Sequence, residues 1–184
     1  MGKKLGVISL GCSKNLVDTE MMIGILKAGG YEFIDELSDA EVIIVNTCTF
    51  IDSAKEESIE AILKAAAYKE SGKCEKLVVA GCLTQQYKKS LGKEIPEVDI
   101  FIGTDSWQHI LEAVNRSYSE ESRQVYIIDT APCEHQELIP RQTLTPNYTA
   151  FIKIAEGCSN GCTFCYIPYV RGQMRSRPIS SVVH

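Results

Sequence analysis

Apolar and polar positions alternate along the first 130 residues in two rhythms. Short apolar runs occur at Leu5–Leu10, Val42–Val45, Leu77–Ala80, Ile100–Ile102 and Val125–Ile128. Runs this short, rich in Val and Ile, predict strands buried on both faces. Between them lie segments of helical character: Leu16–Ala28, Ser53–Tyr68, Leu83–Leu91 and Trp107–Val114. Gly29-Gly30 is a stop for the first helix. Ser53 with Glu56 three residues on has the form of a capping box opening the second. Five strands alternating with four helices predict an α/β fold, a doubly wound, flavodoxin-like parallel sheet with strand order 2-1-3-4-5. The rhythm breaks from Thr130 to Asn147, a polar stretch holding Pro132, Pro140 and Pro146, which reads as a linker. An apolar strand is expected again at Tyr148–Ala155, running into a cysteine-rich loop. The expected divisions are thus 1–130, a linker at 131–147, and a second unit beginning at 148.

Composition changes this picture in one respect. The chain has 184 residues, 45% hydrophobic and 23% charged, which is ordinary for a globular protein. No apolar run reaches the roughly 18 residues of a membrane-spanning helix. The apolar stretch after Lys3-Lys4 is too short, and too soon interrupted by Cys12 and Lys14, for a signal peptide. A cytoplasmic location is expected. The net charge of −5 gives no general attraction to a polyanion, so nucleic-acid binding by this segment is not expected. Eight cysteines, however, are many for such a chain. In a reducing compartment their spacing points to metal rather than disulfides.

Cys158, Cys162 and Cys165 form a C-x3-C-x2-C run. Thiolates are soft ligands suited to iron–sulfur clusters or zinc. Three of them can hold three irons of a [4Fe–4S] cube and leave the fourth open to a small molecule. Gly157 and Gly161 allow tight backbone turns around a bulky group. The alternative is a zinc knuckle whose fourth ligand is His184. Cys12, Cys48 and Cys82 are far apart in sequence, but each follows a predicted strand, the first, second and third. In the expected order these strands are neighbours, and open α/β sheets bind ligands at the carboxyl ends of their strands. Asn46 and Thr47 offer side chains that could hydrogen-bond cluster sulfurs. The alternative is three buried, inert cysteines. Cys74 and Cys133 lie away from strand ends and are read as non-ligands. Arg171, Arg175 and Arg177 read as a solvated edge, with contact to an acidic substrate group or a cofactor carboxylate as the alternative, and Glu156 as a locally bonded strand-end residue.

The C-x3-C-x-aromatic-C loop resembles the radical S-adenosylmethionine superfamily. Together with Gly11-Cys12-Ser13-Lys14-Asn15, with Val45-Asn46-Thr47-Cys48-Thr49-Phe50-Ile51-Asp52-Ser53-Ala54 and with Lys153-Ile154-Ala155-Glu156-Gly157-Cys158, the chain is similar to the methylthiotransferase family, in its RimO-type branch. The resemblance implies two [4Fe–4S] clusters, one on Cys12, Cys48 and Cys82, the other on Cys158, Cys162 and Cys165. It implies S-adenosyl-L-methionine as cofactor, its adenine bordered by Phe164, and cleavage to a radical that abstracts hydrogen from an unactivated C–H bond. It further implies an aspartate of ribosomal protein S-twelve as substrate and an electron donor such as flavodoxin or ferredoxin. A branch acting on transfer RNA adenosine is the alternative, although Ser13-Lys14-Asn15 stands where that branch usually has Gln-Met-Asn. A barrel in this family needs roughly 200 residues, so 148–184 is expected to be only its first strand and cluster loop. Two further readings are a non-catalytic zinc module and a flavodoxin-like electron carrier, the latter lacking a Ser/Thr-rich phosphate loop.

Overall fold

A computed structural model describes residues 2–116 and 124–183. Six parallel strands form one sheet in the order β2-β1-β3-β4-β5-β6. They are β1 (Lys4–Ser9), β2 (Glu32–Phe33), β3 (Val42–Thr47), β4 (Lys76–Gly81), β5 (Ile100–Ile102) and β6 (Val125–Ile127). The doubly wound parallel sheet is present, with one strand beyond the five expected. β2 pairs only through Lys4↔Glu32 and Leu5↔Phe33, too short to stand out as an apolar run. Its insertion at the edge changes which strand is central. The run Val42–Val45 was expected at the edge beside Leu5–Leu10; it lies instead between β1 and β4, paired with both.

The central strands are apolar throughout because each face has its own core. Val42 and Ile44 of β3, Val78 and Ala80 of β4, and Ile100 and Ile102 of β5 pack on one face. Ile43, Val45, Leu77, Val79 and Phe101, the intervening residues, pack on the other. This is the period-two geometry of a pleated strand with helices on both sides. On the first face lie α1 (Ser13–Ala28) and α5 (Ile110–Asn115), joined to the core by Met22, Ile23, Leu26 and Ile110, with Trp107 from the turn before α5. On the second lie α2 (Asp52–Ser71), α3 (Cys82–Tyr87) and α4 (Lys89–Glu94), through Ile62, Ala65, Leu83 and Leu91.

Three helix boundaries depart from expectation. Helix α1 starts at Ser13, with Cys12 as its cap residue, rather than at Leu16. Helix α2 starts at Asp52, capped by Ile51 with no side-chain hydrogen bond, so Ser53 is not the cap. An acid in the first turn, Asp52, complements the helix dipole instead. The segment Leu83–Leu91 is broken into α3 and α4 by Lys88, which adopts φ 47°.

Beyond residue 130 the chain returns to the carboxyl edge of the sheet. The stretch expected as a linker lies along α1: Gln142 N donates to Glu20 O at 3.0 Å and Leu144 N to Glu20 Oε1 at 2.7 Å. Gly24 lies under this strap, and a Cβ there would come within 2.0 Å of Pro140 O. Of the strand expected at Tyr148–Ala155, only its end is paired, as β7 (Ala155–Glu156) against antiparallel β8 (Arg175–Ser176). With one two-residue partner, Phe151, Ile152 and Ile154 remain exposed. Two short helices, α6 (Ile167–Arg171) and α7 (Ile179–Val183), complete the described residues. No helix among these is long and apolar enough to cross a membrane.

Candidate functional site

The first cysteine set sits at the carboxyl ends of three adjacent strands. Cys48 follows β3 directly, Cys82 follows β4 directly, and Cys12 caps α1 just past β1. Two glycines make the close approach possible. Gly11 has φ +86°, and a Cβ on it would lie 2.7 Å from Cys48 Cβ and 3.0 Å from Cys48 Sγ. Gly81 has φ +92°, and its Cβ would lie 2.3 Å from Asn46 Oδ1. Positive φ and lack of space both demand glycine there. Ser58 clamps the middle turn, accepting from Cys48 N at 3.0 Å and donating to Cys48 O at 2.9 Å.

Asn15 organises these turns. Its Nδ2 donates to Leu10 O at 2.9 Å and Thr47 O at 2.8 Å, the carbonyls that precede the Cys12 and Cys48 turns. Its Oδ1 lies 3.8 Å from Cys82 Sγ. Asn46 and Thr47, expected to face the sulfurs, are engaged elsewhere. Asn46 Nδ2 donates to Asn15 O and Thr19 Oγ1, and Thr47 Oγ1 to Ala80 O. Both side chains satisfy buried polar groups of the sheet edge. Burial pushes the Cys82 thiol up; Arg171 opposes this by charge and hydrogen bond, while Cys48 and Cys12 push it up again.

The second set is brought together by its own loop. Cys158, Cys162 and Cys165 line a cavity of about 380 Å³ with Pro168, Tyr169 and Gln173. Cys158 N donates to Gly172 O and Cys165 N to Cys162 O. Phe164 is 87% exposed, an open aromatic face at the loop's tip. All eight cysteines are free thiols. Cys74 is buried in the second core, its thiol raised to about 11 chiefly by burial. Cys133 packs against the first core. His184 lies outside the described residues. Among these, no three His, Cys, Asp or Glu close on a single metal ion. A cube binds each thiolate through a different iron, so its ligands need not converge on one point. Soft thiolates in sets of three, with glycines at the close approaches, suit such a group better than a hard cation.

What sequence reasoning missed is the bond between the two sets. Arg171 is buried, its side chain 4% exposed, not part of a solvated edge. Its Nη1 donates to Glu156 Oε2 at 2.8 Å and Asp18 Oδ2 at 3.3 Å, and its Nη2 to Asn15 Oδ1. Lys153 joins Asp18 and lies 3.0 Å from Glu156 Oε2. Lys14 donates to Ala155 O at 2.9 Å. Glu156 does make the expected local bond, from Gly157 N at 3.1 Å, but chiefly it serves this network. Burial works to raise Glu156, yet Arg171, Lys153 and Lys14 bring it down to about 2. Two buried cations and two buried carboxylates neutralise each other, the condition under which buried charges are tolerated. The signal was present in part, as Lys14, Asn15 and Asp18 lie on one helix beside Cys12, but their partners lie over 130 residues away.

Arg175 and Arg177 are also bound. Arg175 meets Asp105 at 2.8 Å, and Arg177 holds Lys153 O and Ser181. With Lys153, Glu156 and Cys133 they line a larger cavity of about 480 Å³. Asp105, Lys153, Glu156, Arg175 and Arg177 in its wall are paired with protein, and none of the six clustered thiols lines it.

Fold and site together define an α/β protein of flavodoxin-like architecture whose carboxyl sheet edge gathers cysteines. The chain belongs to the Uncharacterized protein family UPF0004, whose model matches residues 4–103. It is 48% identical over 178 residues to the ribosomal protein uS12 methylthiotransferase RimO of Desulforamulus reducens. It is 49% identical over 179 residues to that of Natranaerobius thermophilus, and 47% over 183 residues to that of Pelotomaculum thermopropionicum. These matches cover 97%, 97% and 100% of this chain. The chain spans about 40% of the length of these relatives.

Proposed function

We propose that the chain is part of a methylthiotransferase that adds a methylthio group to the β-carbon of an aspartate in ribosomal protein S-twelve. The observation that carries this reading is the pairing of two three-cysteine sets, one on three adjacent strand ends, the other on a loop docked against that edge. Similarity to relatives named uS12 methylthiotransferase supports the choice of substrate. Cys12, Cys48 and Cys82 would hold one [4Fe–4S] cluster, and Cys158, Cys162 and Cys165 another, with S-adenosyl-L-methionine bound at the second. Bound there, these groups supply the radical and sulfur chemistry that no side-chain base can provide at an unactivated carbon.

The chain's own residues do the holding. Gly11 and Gly81 let the backbone come close to the first thiol set, and Asn15 fixes two of its turns. Gly157, at φ +73°, turns the backbone so that Cys158 meets Gly172. Phe164 offers a flat exposed face suited to an adenine ring. Residues 1–130 would form the unit of the first cluster and 148–184 the opening of the radical-generating barrel. We place the protein in the cytoplasm, served by a small electron carrier of the flavodoxin or ferredoxin kind.

The test is anaerobic production from the complete gene, with mass spectrometry of ribosomal protein S-twelve and of transfer RNA from the same cells. A gain of one methylthio group on the S-twelve aspartate is expected, and a gain on transfer RNA adenosine instead would overturn the substrate. Replacing Cys158, Cys162 and Cys165 together by Ala is expected to leave part of the iron bound. Complete loss of iron, or zinc in its place, would overturn the two-cluster reading.

A further inference from the structure

A continuous chain of contacts runs from one cysteine set to the other through the side chains of Arg171 and Asn15. Cys158 N is bonded to Gly172 O, one residue past Arg171. The Arg171 guanidinium bonds Asn15 Oδ1. Asn15 Nδ2 holds the carbonyls of Leu10 and Thr47, which open the turns carrying Cys12 and Cys48. Asn15 Oδ1 also faces Cys82 Sγ. Four of the six thiols are therefore tied, through backbone or sulfur, to the contact between Arg171 and Asn15. We infer that Arg171 is a positioning residue: paired with Asn15, it locks the Cys158 loop onto the three-strand edge and sets a fixed positive charge beside Cys82.

The surroundings support a lock rather than a chance contact. Arg171 is shared among three acceptors on two separate segments, Asn15 and Asp18 of α1 and Glu156 of β7. A planar fork holds its donors in fixed directions toward these acceptors, whereas a lysine ammonium is a point charge on a flexible stem. The next turn of chain is fixed independently, since Thr104 Oγ1 donates to Val170 O at 2.6 Å. When the guanidinium leaves, Asp18 and Glu156 keep Lys153 but each loses one of its two buried cation partners.

The lock is tested first in the metal-free complete protein, by hydrogen–deuterium exchange. Arg171→Gln is expected to speed exchange at amides 157–165 by roughly tenfold or more, with β4 and β5 unchanged. Arg171→Lys is expected to give an intermediate rate. If Arg171→Gln unfolds, Arg171→Lys decides: loop exchange equal to the parent overturns the proposal. The second arm rests on the two-cluster reading. In protein with Cys158, Cys162 and Cys165 replaced by Ala, the reduction potential of the remaining cluster is measured by electron paramagnetic resonance. Arg171→Gln is expected to lower it, and Arg171→Lys to restore most of the change, since a nearby cation favours the reduced, more negative state. An unchanged potential overturns the proposal. If that background binds no iron before Arg171 is altered, the first cluster assignment fails, and the exchange measurement alone decides the lock.

Discussion

Arg141 Nε donates to Glu20 Oε2 at 2.8 Å, and the Glu20 side chain is completely buried. Glu20 lies in α1, and Arg141 comes from a stretch more than a hundred residues later. The same carboxylate accepts from Leu144 N. Arg141 also donates to Phe151 O at 2.7 Å, so one guanidinium ties the strap both to the helix and to the approach to the second cysteine loop.

Arg141→Ala leaves the Glu20 carboxylate with one donor in place of its ion pair. Breaking a buried pair by removing one partner costs about 3–5 kcal/mol, and the partial exposure of Arg141 puts this case at the low end, about 3 kcal/mol. Urea unfolding of the parent and the variant measures it. A difference within about 0.5 kcal/mol, the range of ordinary surface substitutions, would show that the strap contributes nothing.

Gly81→Ala forces a side chain into positive φ and into contact with Asn46 Oδ1 and Thr47 O. The backbone term alone is about 1–2 kcal/mol, and the clash adds to it. Because the residue precedes Cys82, the variant is expected to bind less iron at the first set as well as to unfold at lower urea. Gly30→Ala is the control: its φ is +92°, but no atom lies within 4 Å of its Cβ. It is expected to lose some stability from strain and no iron.

Acid stability is expected to carry the signature of Glu156. Its folded pKa is about 2, below the ordinary 4.5. A depressed carboxylate contributes stability that is fully present above its unfolded pKa and is lost as pH falls through its folded value. The loss therefore falls between about pH 4.5 and pH 2. Glu156→Gln is expected to lower stability at neutral pH, where Arg171 and Lys153 lose a partner, and to flatten the decline across that window. A parallel decline in both proteins, followed by circular dichroism, would contradict the assignment.

Thiol reactivity should sort the cysteines by exposure. In the metal-free protein at pH 8, iodoacetamide is expected to modify Cys12 and Cys162, the exposed thiols, first. Cys74 is expected to react last, because burial raises it to about 11 and leaves only about a thousandth of it as thiolate. Peptide mass mapping over time gives the order, and early modification of Cys74 would contradict its burial.

The sequence made the sheet legible through Val42–Val45, Leu77–Ala80 and Ile100–Ile102, because strands covered on both sides must be apolar at every position. It could not reveal β2, whose two residues, Glu32 and Phe33, carry no pattern. That omission misplaced Val42–Val45 at an edge, although the three strands that lead to cysteines remained neighbours. The cysteines themselves could be read from their place after strands and from their local spacing. Arg171 could not, since an arginine in a polar stretch looks solvated until its partners Asn15, Asp18 and Glu156 are known. Long-range ion pairs leave no periodic trace. Ser53 was misread for a related reason: a capping box is a local pattern, and here the chain enters α2 two residues earlier, with Ile51 as the cap.

Helix α1 is covered almost all the way round. Residues from Val17 to Leu26 are buried on successive turns, the sheet taking one side and the strap with Lys153 and Arg171 the other. A protease cut near residue 130 followed by separation of the pieces would expose Asp18 and Glu20 as carboxylates stripped of Lys153 and Arg141. Freed into water, these carboxylates would be solvated instead of paired, and the side of α1 that the strap covers would lie bare. Residues 1–130 would keep the sheet and its two cores but lose the cover that Arg141, Lys153 and Arg171 give to α1.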